Sequence, residues 1–600
     1  MFARQYSTAL IFVLFSLSLI PSKAPAAISL KTSAKPVTQR GVFDTYQLNR
    51  QENRPNYITA DLWLVAYSLV RQRTLTETET TVIQPLLQSF LKTVSETISQ
   101  HPKDAASDAN RDYLAVLNAL LSGEKKGLSK TAASEYARVL GAEGISPSPL
   151  WGYSIDYSQF KPRGRYTQSP ESERYFRTMR YASGVLFAVT PSQSTGVDDK
   201  MANRMVQQAL QLAEAAQKSG KPYAQLEELL AWQMGPADDL TTQDVLEVKK
   251  NLKAKKIGAL RSALFDYAKK HNKQPRILSG LVDASKLEEG LAPVDVLAGW
   301  RLLPLRYSAD SEVFQQLIYA NTGAYKGDCK KCRTPFGLAM INGKPVKGFP
   351  SANELMALLG SQAAAKWIAD NREDQFEGYQ QATDKARAVL ADVAGLKGAQ
   401  LKLIKAGWVG ETKEQDRTHD PLTTMLAFWT WQRYTNVLYS KQSYSMTGKS
   451  FSFSEQRAGA LLEPATGLYE ALVEIVDQHR EITPNPNWNK FAQVLAETLS
   501  LSKKADKGEK FSAEDEQYLN DLDRALLALA GTTDKPIIVD VHSSPASAEV
   551  LEEGVGYARV VEKLKARGAR MSHYEFKQPL AKRLTDEDWR LRLEKNKVTE

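Results

Sequence analysis

The chain has 600 residues, of which 42% are apolar and 24% are charged. This balance excludes a disordered chain, a collagen-like chain and a polytopic membrane protein. The formal net charge is +9, and basic and acidic residues are interleaved through most of the sequence. Because nucleic-acid-binding proteins concentrate Lys and Arg on one element, no nucleic-acid partner is expected.

The first 26 residues have the pattern of a secretory signal peptide. Arg4 supplies the positive start, residues 8–20 are mostly apolar, and Ala24-Pro25-Ala26 places small residues at the −3 and −1 positions. We expect cleavage after Ala26 and a mature protein in the periplasm or secreted; an uncleaved anchor is the alternative. Since no later stretch reaches about 18 apolar residues, no transmembrane segment is expected after cleavage.

Helical patterns dominate residues 27–535. Ser512 and Asp515 resemble a capping box, and Gly531 stands where a glycine ends the helix that follows. The sequence predicts a mainly α fold whose large multi-helix body is a toroid or an irregular helical array. Apolar side chains at helical spacing are found at residues 84–98, 198–219, 242–269 and 487–505.

One segment of this body departs from the helical pattern. Residues 321–350 are rich in Gly and Pro and predict a loop insertion. The segment contains Cys329-Lys330-Lys331-Cys332. In an oxidising compartment this spacing favours a local disulfide between Cys329 and Cys332. A thiol-disulfide exchange site is the alternative, because the lysines favour a thiolate.

The pattern changes to short strands from residue 536. Apolar runs at residues 537–541, 557–561 and 571–576 are bounded by Gly, Pro and Ser, which is typical of a small sheet. Thr585 and the acidic residues after it open a last helix. We therefore expect residues 536–600 to form a C-terminal α+β subdomain.

Three residues of this segment are candidates for catalysis. Asp540 and His542 are two positions apart on the first predicted strand, so they are expected to share one face. Glu552 follows ten residues after His542 and can place a second carboxylate near this pair. Such a group suits a hydrolase whose site lies between the helical body and the sheet and uses carboxylates with His542 or a metal ion. The alternative is that His542 has only a structural role. No H-E-x-x-H, G-x-S-x-G or Walker A motif occurs, and no cofactor or metal ligand is assigned.

Aromatic and basic residues alternate in two clusters, at residues 156–181 and 428–444. Such side chains stack on sugar rings and hydrogen-bond carboxylates. They favour a binding protein that presents an aromatic and basic surface to a glycan, a peptide or an envelope protein. The alternative is an aromatic helical core whose basic side chains extend toward water. The ligand-binding candidates are Arg163, Arg165, Tyr166, Trp431, Arg433, Tyr434, Lys441 and Gln442.

Motifs along nearly the whole mature chain resemble the bacterial domain-of-unknown-function family 3160, which comprises large exported proteins with a mostly helical body. The resemblance implies export, one helical body and a C-terminal strand region, and brings no established activity. The family pattern commonly has His at the positions of Arg165 and Tyr434, which favours binding over catalysis in this chain. The matching motifs include residues 55–61, 156–166, 175–177, 306–311, 355–361, 438–444, 463–464, 540–542, 551–556, 574–576 and 583–589.

Overall fold

A computed structural model shows a mainly α protein, which confirms the predicted fold class. No helix in the part of the chain that it describes is long and apolar enough to cross a bilayer. The predicted signal peptide, the Cys329/Cys332 pair, Lys441 and Gln442 lie outside that part. The described residues are 40–192, 196–253, 256–273, 276–277, 298–327, 334–341, 343–408, 411, 420–439, 460–482, 485–544 and 547–595.

Helices follow one another through most of the chain. They are α1 Val42–Gln51, α2 Ala60–Thr78, α3 Gln84–Ser99, α4 Ala105–Ser122, α5 Lys130–Gly141, α6 Pro170–Gly184, α7 Asp199–Lys218, α8 Lys221–Met234, α9 Thr242–Asn251, α10 Ile257–Lys270, α11 Ala309–Gln316, α12 Tyr319–Thr322, α13 Ala352–Leu358, α14 Gln362–Asp370, α15 Tyr379–Ala391, α16 Gly395–Ala406, α17 Pro421–Thr435, α18 Thr466–Ile482, α19 Pro486–Asp506, α20 Ala513–Ala530 and α21 Asp586–Lys595.

The strands are short, and most of the longer ones lie after residue 536. They are β1 Asn56–Ile58, β2 Ile145–Pro147, β3 Ser154–Asp156, β4 Phe187–Ala188, β5 Gly299–Trp300, β6 Leu338–Ile341, β7 Lys344–Lys347, β8 Ala460–Leu462, β9 Ile537–Ser544, β10 Glu549–Val555, β11 Arg559–Lys563, β12 Ala566–Arg570 and β13 Tyr574–Pro579.

Two sheets contain the C-terminal strands. The antiparallel sheet has the order β13-β10-β9. The other has the order β11-β12-β1-β8, in which β1 runs parallel to both β12 and β8. Since β1 and β8 come from the body, the C-terminal segment completes a sheet with it.

Several local predictions are confirmed. The capping box joins the Ser512 hydroxyl to the Asp515 N–H at 3.1 Å, and Gly531 ends α20 with a φ of 75°. The helix predicted at residues 84–98 is α3. It continues from α2 through a π-helical turn at Glu79–Ile83, and such a turn accommodates Pro85, which has no N–H to donate.

Two predictions need correction. The pattern at residues 242–269 forms α9 and α10, because Leu252 takes an extended backbone that ends α9. The expected loop at residues 321–350 contains the β6–β7 hairpin, with Gly343 in its turn at a φ of 73°. Buried Lys347 anchors that hairpin through ion pairs with Glu354 and Glu373, at 3.2 and 2.7 Å.

Helices α2 and α17 pack against each other inside the body. Every residue of α17 is buried, including its polar residues. Tyr67 of α2 packs on Phe428 of α17 with ring centroids 6.1 Å apart. A helix that is buried on all sides must satisfy its polar side chains through other parts of the protein.

A buried ion triad holds β12 against the body. Arg570 donates to Asp61 at 2.9 Å and to Glu463 at 2.5 Å, and all three side chains are at most 3% exposed. Asp61 also accepts the Met571 N–H at 2.8 Å. The triad therefore joins α2, the end of β8 and the C-terminal strands.

Replacing Arg570 by Met should lower the free energy of unfolding by about 3–5 kcal/mol, because two buried carboxylates lose their cation. The matched control is Arg567→Met on the same strand, whose partners Glu52 and Glu562 are 38% and 54% exposed. Its cost should be about 0–1 kcal/mol. Urea unfolding followed by circular dichroism measures both, and equal costs for the two variants would contradict the role of the triad.

Candidate functional site

A pocket of about 40 Å³ lies where α11, α16 and α17 meet. Basic, acidic, amide and indole side chains line it together with an apolar wall. The polar lining residues are Asp310, Lys397, Gln400, Trp429, Gln432 and Arg433.

Arg433 is the central cation of this pocket. It is 4% exposed, and its Nη1 donates to the Ser311 and Ser308 hydroxyls at 2.7 and 3.3 Å and to Asp310 at 3.2 Å. Its buried Nη2 has no hydrogen-bond partner among the described residues. Arg433 thus keeps one donor that the described part of the protein does not use.

Asp310 fixes the neighbouring aromatic ring. Its carboxylate accepts the Trp429 Nε1–H at 2.9 Å. Burial acts to raise the pKa of Asp310, but the Arg433 and Lys397 charges prevail and lower that pKa to about 2. Asp310 is therefore ionised at neutral pH.

Lys397 is the second cation that lines the pocket, and it is partly exposed. Burial, with the Arg71 and Arg433 charges, lowers the pKa of Lys397 to about 7, although Asp310 acts in the opposite direction. Lys397 lies in the first turn of α16, which has no side-chain cap. Since the start of a helix carries partial positive charge, the pocket is biased toward anions.

Gln432 and Gln400 connect the pocket to α2. The Gln432 carbonyl accepts from Arg71 at 3.1 Å and from Gln400 at 3.2 Å, and its amide donates to Ser68 at 3.0 Å. Arg71 is buried and adds a third positive charge near the site.

The first aromatic and basic cluster lies inside the protein. Arg165 forms a buried ion pair with Glu79 of the π-helical turn. Tyr166 donates to the same carboxylate at 2.7 Å, and Tyr439 also donates to it. Arg163 is 2% exposed and acts electrostatically on Asp540.

The expected aromatic and basic surface is therefore wrong for the described candidates. Trp431 and Tyr434 are buried like the others, at 3% and 8% exposure. The physical reason is that α17 is apolar around most of its circumference, so it packs on all sides. Of the described candidates, Arg433 is the one that lines this pocket.

Tyr434 connects α17 to the C-terminal segment. Its hydroxyl donates to Asp586 at 3.1 Å, and the other oxygen of Asp586 accepts the Ile538 N–H at 2.8 Å. Burial raises the pKa of Asp586 to about 8, against the effect of these hydrogen bonds. Asp586 is therefore largely protonated at neutral pH.

Asp540 and Glu552 face each other across β9 and β10. Burial raises the pKa of both carboxyl groups, and the Asp540 charge raises the pKa of Glu552 further. Asp540 also accepts from Arg583 at 3.1 Å, and Glu552 accepts the Leu584 N–H at 2.9 Å. The pair is fully buried.

His542 does not join this pair, so the prediction that it shares a face with Asp540 is wrong. The register shifts between Leu551 and Glu552, so that His542 pairs with Leu551 while Asp540 pairs with Glu552. Such a bulge moves the side chains that follow it to the other face. His542 packs on Phe349 with ring centroids 5.7 Å apart, and burial lowers its pKa to about 4.

A second carboxyl pair occupies the other face of β10. Glu553 faces Glu575 of β13. Burial raises the pKa of both groups, and the Glu553 charge raises the pKa of Glu575 further. His573 Nε2 lies 2.8 Å from Glu553, and Glu575 accepts from Ser351 at 2.8 Å. No group of three or more His, Cys, Asp or Glu side chains within the described residues has the geometry to hold a metal ion.

Several important residues were absent from the predicted candidates. Asp310 lies in Arg306-Tyr307-Ser308-Ala309-Asp310-Ser311, one of the motifs that resemble the family. Glu553, Glu575 and Asp586 lie in other motifs of this kind, so the motifs could have identified all four residues as candidates. No feature of the sequence identified Lys397 as a candidate, because a single lysine on an amphipathic helix resembles any other surface lysine.

The chain belongs to the family described as Protein of unknown function (DUF3160), since the family model matches residues 30–600. This match confirms the family indicated by the motifs. No similar curated protein and no similar solved structure were found.

Asp586→Asn should reduce the dependence of stability on pH. Because the pKa of Asp586 is raised, its stabilisation is complete below about pH 4 and is lost as pH rises through about 8. At about 1.4 kcal/mol per unit, the wild type should lose roughly 4 kcal/mol more than the variant between pH 5 and pH 9. Urea unfolding across this range measures the difference.

The control is Asp588→Asn in the same helical turn. Asp588 is exposed, and its hydrogen bonds to Thr585 lower its pKa. Its stabilisation is lost only as pH falls, so its curve between pH 5 and pH 9 should parallel that of the wild type. Parallel curves for Asp586→Asn and the wild type would disprove the assignment.

Proposed function

We propose that this member of the DUF3160 family is a binding protein that takes a small carboxylate, or the carboxylate end of a larger ligand, in the pocket between α11, α16 and α17. The observation that carries the proposal is that two cations, Arg433 and Lys397, line the same pocket. A bound carboxylate forms charge-assisted hydrogen bonds with such cations.

The charge balance of the pocket supports an anionic ligand. The pocket and its surroundings contain three cationic side chains, those of Arg433, Arg71 and Lys397 in its ammonium form. One carboxylate, that of Asp310, balances part of this charge. The uncapped start of α16 adds positive potential. A neutral sugar gains nothing from this excess charge, whereas a carboxylate does.

The dimensions of the pocket limit what enters it. A volume of about 40 Å³ accommodates a few non-hydrogen atoms, much less than the 300–1,000 Å³ that is typical of a drug-sized site. A peptide or an acidic glycan would therefore insert one carboxylate-bearing end. Trp429, held by Asp310, supplies a fixed apolar wall beside that group.

The alternative, a hydrolase based on Asp540, Glu552 and His542, has less support. The two carboxyl groups are paired with each other and are fully buried. His542 lies on the other face of the sheet and is neutral above about pH 4. A general base must reach a substrate proton at about 2.6–3.2 Å, and this group offers no exposed base.

Export through the predicted signal peptide is part of the same proposal. The pattern of the first 26 residues supports it, and a periplasmic or secreted protein meets small anions and envelope material. Amino-terminal sequencing of the protein from cell fractions tests it. A mature chain that begins at Ala27 supports export, and a cytoplasmic chain that begins at Met1 contradicts it.

Arg433→Gln should weaken carboxylate binding about 10- to 100-fold, since a charge-assisted hydrogen bond is worth about 1.5–3 kcal/mol. Isothermal titration calorimetry at pH 6 with acetate, lactate and succinate, each against its uncharged amide, measures this loss. Lys397→Met is the second variant, because Lys397 is partly exposed and its loss should spare the fold.

The matched control is Arg387→Gln on α15, an exposed arginine paired with Asp384. It should bind carboxylates as the wild type does. Circular dichroism establishes that each variant is folded. If no carboxylate binds, if amides bind equally well, or if folded Arg433→Gln and Lys397→Met keep full affinity, the proposed function is wrong.

A further inference from the structure

Lys397 differs from the other charged groups of the pocket. Arg433 donates a hydrogen bond to Asp310. Arg71 donates to Gln432 at 3.1 Å and to Asn436 at 2.6 Å. The Lys397 amine has no hydrogen bond or ion pair with another residue of the described chain, yet it lines the pocket and is partly exposed. It is therefore open to a ligand.

The surroundings of Lys397 favour its uncharged form. Burial and the charges of Arg71 on α2 and Arg433 on α17 disfavour the ammonium, while Asp310 on α11 favours it; the resulting pKa is about 7. About half of the amine is therefore unprotonated at neutral pH. Lysines that are desolvated or lie next to another cation are the ones that attack carbonyl carbons.

We propose that Lys397 captures a small 2-oxo carboxylic acid as a Schiff base, with the carboxylate of the ligand held by Arg433. This inference rests on the proposed carboxylate site and names the class of ligand for it. A 2-oxo acid has its carbonyl carbon directly beside the carboxylate. Such a ligand suits a pocket in which an amine and a guanidinium line the same 40 Å³.

The reaction needs no co-reactant. The unprotonated Nζ attacks the ketone carbon, and a C–N bond forms while the carbonyl oxygen takes a proton, which gives a carbinolamine. The C–O bond then breaks, and the oxygen leaves as water with the two hydrogens of the original amine. The resulting imine takes one proton from solvent. Asp310, ionised beside Trp429 and Arg433, stabilises the iminium charge.

Trapping with pyruvate and sodium borohydride tests the inference. Borohydride reduces the iminium to a stable secondary amine, which intact-protein mass spectrometry quantifies and peptide mapping locates. We expect one pyruvate adduct per chain at Lys397, and in Lys397→Arg the amount of adduct should fall at least tenfold. The matched control is Lys402→Arg on the same helix, because Lys402 is 65% exposed and pairs with Glu474 at 2.6 Å. It should trap pyruvate as fully as the wild type.

Lactate separates this inference from the proposed function, because it has the carboxylate of pyruvate and no carbonyl group. If lactate binds in calorimetry and pyruvate is not trapped at Lys397, the Schiff base is wrong and the carboxylate site stands. If lactate does not bind, the carboxylate site itself fails. Equal trapping of glycolaldehyde, an aldehyde without a carboxylate, overturns the assignment to 2-oxo acids.

The two kinds of binding also have opposite pH dependence. Lactate affinity should fall as pH rises through about 7, because the Lys397 ammonium is lost. The rate of pyruvate trapping should rise over the same range, because the attacking amine is gained. A trapping rate that falls with lactate affinity would overturn attack by this lysine.

Discussion

The burial of α17 on all sides is the constraint on which the rest of the structure depends. Polar side chains on a fully buried helix are costly unless they find partners, and here three consecutive residues turn to different parts of the chain. Gln432 bonds to Ser68 and Arg71 of α2, Arg433 to the start of α11, and Tyr434 to Asp586 at the start of α21. These bonds fix the position of α17 relative to the N-terminal, middle and C-terminal parts of the protein at once.

The candidate site lies where the hydrogen bonding of the polar side chains of α17 is incomplete within the described residues. Buried Arg570, by contrast, has two carboxylate partners, Asp61 and Glu463. Arg433 shares Asp310 with Trp429 and keeps a buried Nη2 without a partner among the described residues. Arg433 lines one pocket together with the partly exposed Lys397, and the two cations together favour an anionic ligand there. The pocket is thus a consequence of the same helix that organises the core.

The sequence was sufficient for the mainly α fold, many helices, the Ser512 cap and the family, because each depends on local spacing or on ordered motifs. It located the aromatic and basic helix but misjudged its exposure, although a run with apolar residues on every face is itself a sign of full burial. The side-chain directions of β9 were not predictable from alternation, because a bulge between Asp540 and His542 interrupts it. Burial lowers the pKa of Lys397, with further effects from Arg71 and Arg433. Because the contributing residues lie far from Lys397 in the sequence, no local pattern predicts this shift.

Two pairs of buried carboxyl groups share β10, and one of them connects the C-terminal sheet to the body. Consecutive residues Glu552 and Glu553 face carboxyl groups on opposite sides of the sheet, Asp540 on one and Glu575 on the other. Burial raises the pKa of Glu552 and Glu575, and the repulsion between like charges across the sheet raises it further. Ser351 and Ala352 of the body donate hydrogen bonds to Glu575, and these bonds act in the opposite direction by lowering its pKa. Because Ser351 and Ala352 lie at the start of α13, these bonds attach β13 to the helical body, and one of the carboxyl groups of the sheet is therefore also the group that joins it to the helices.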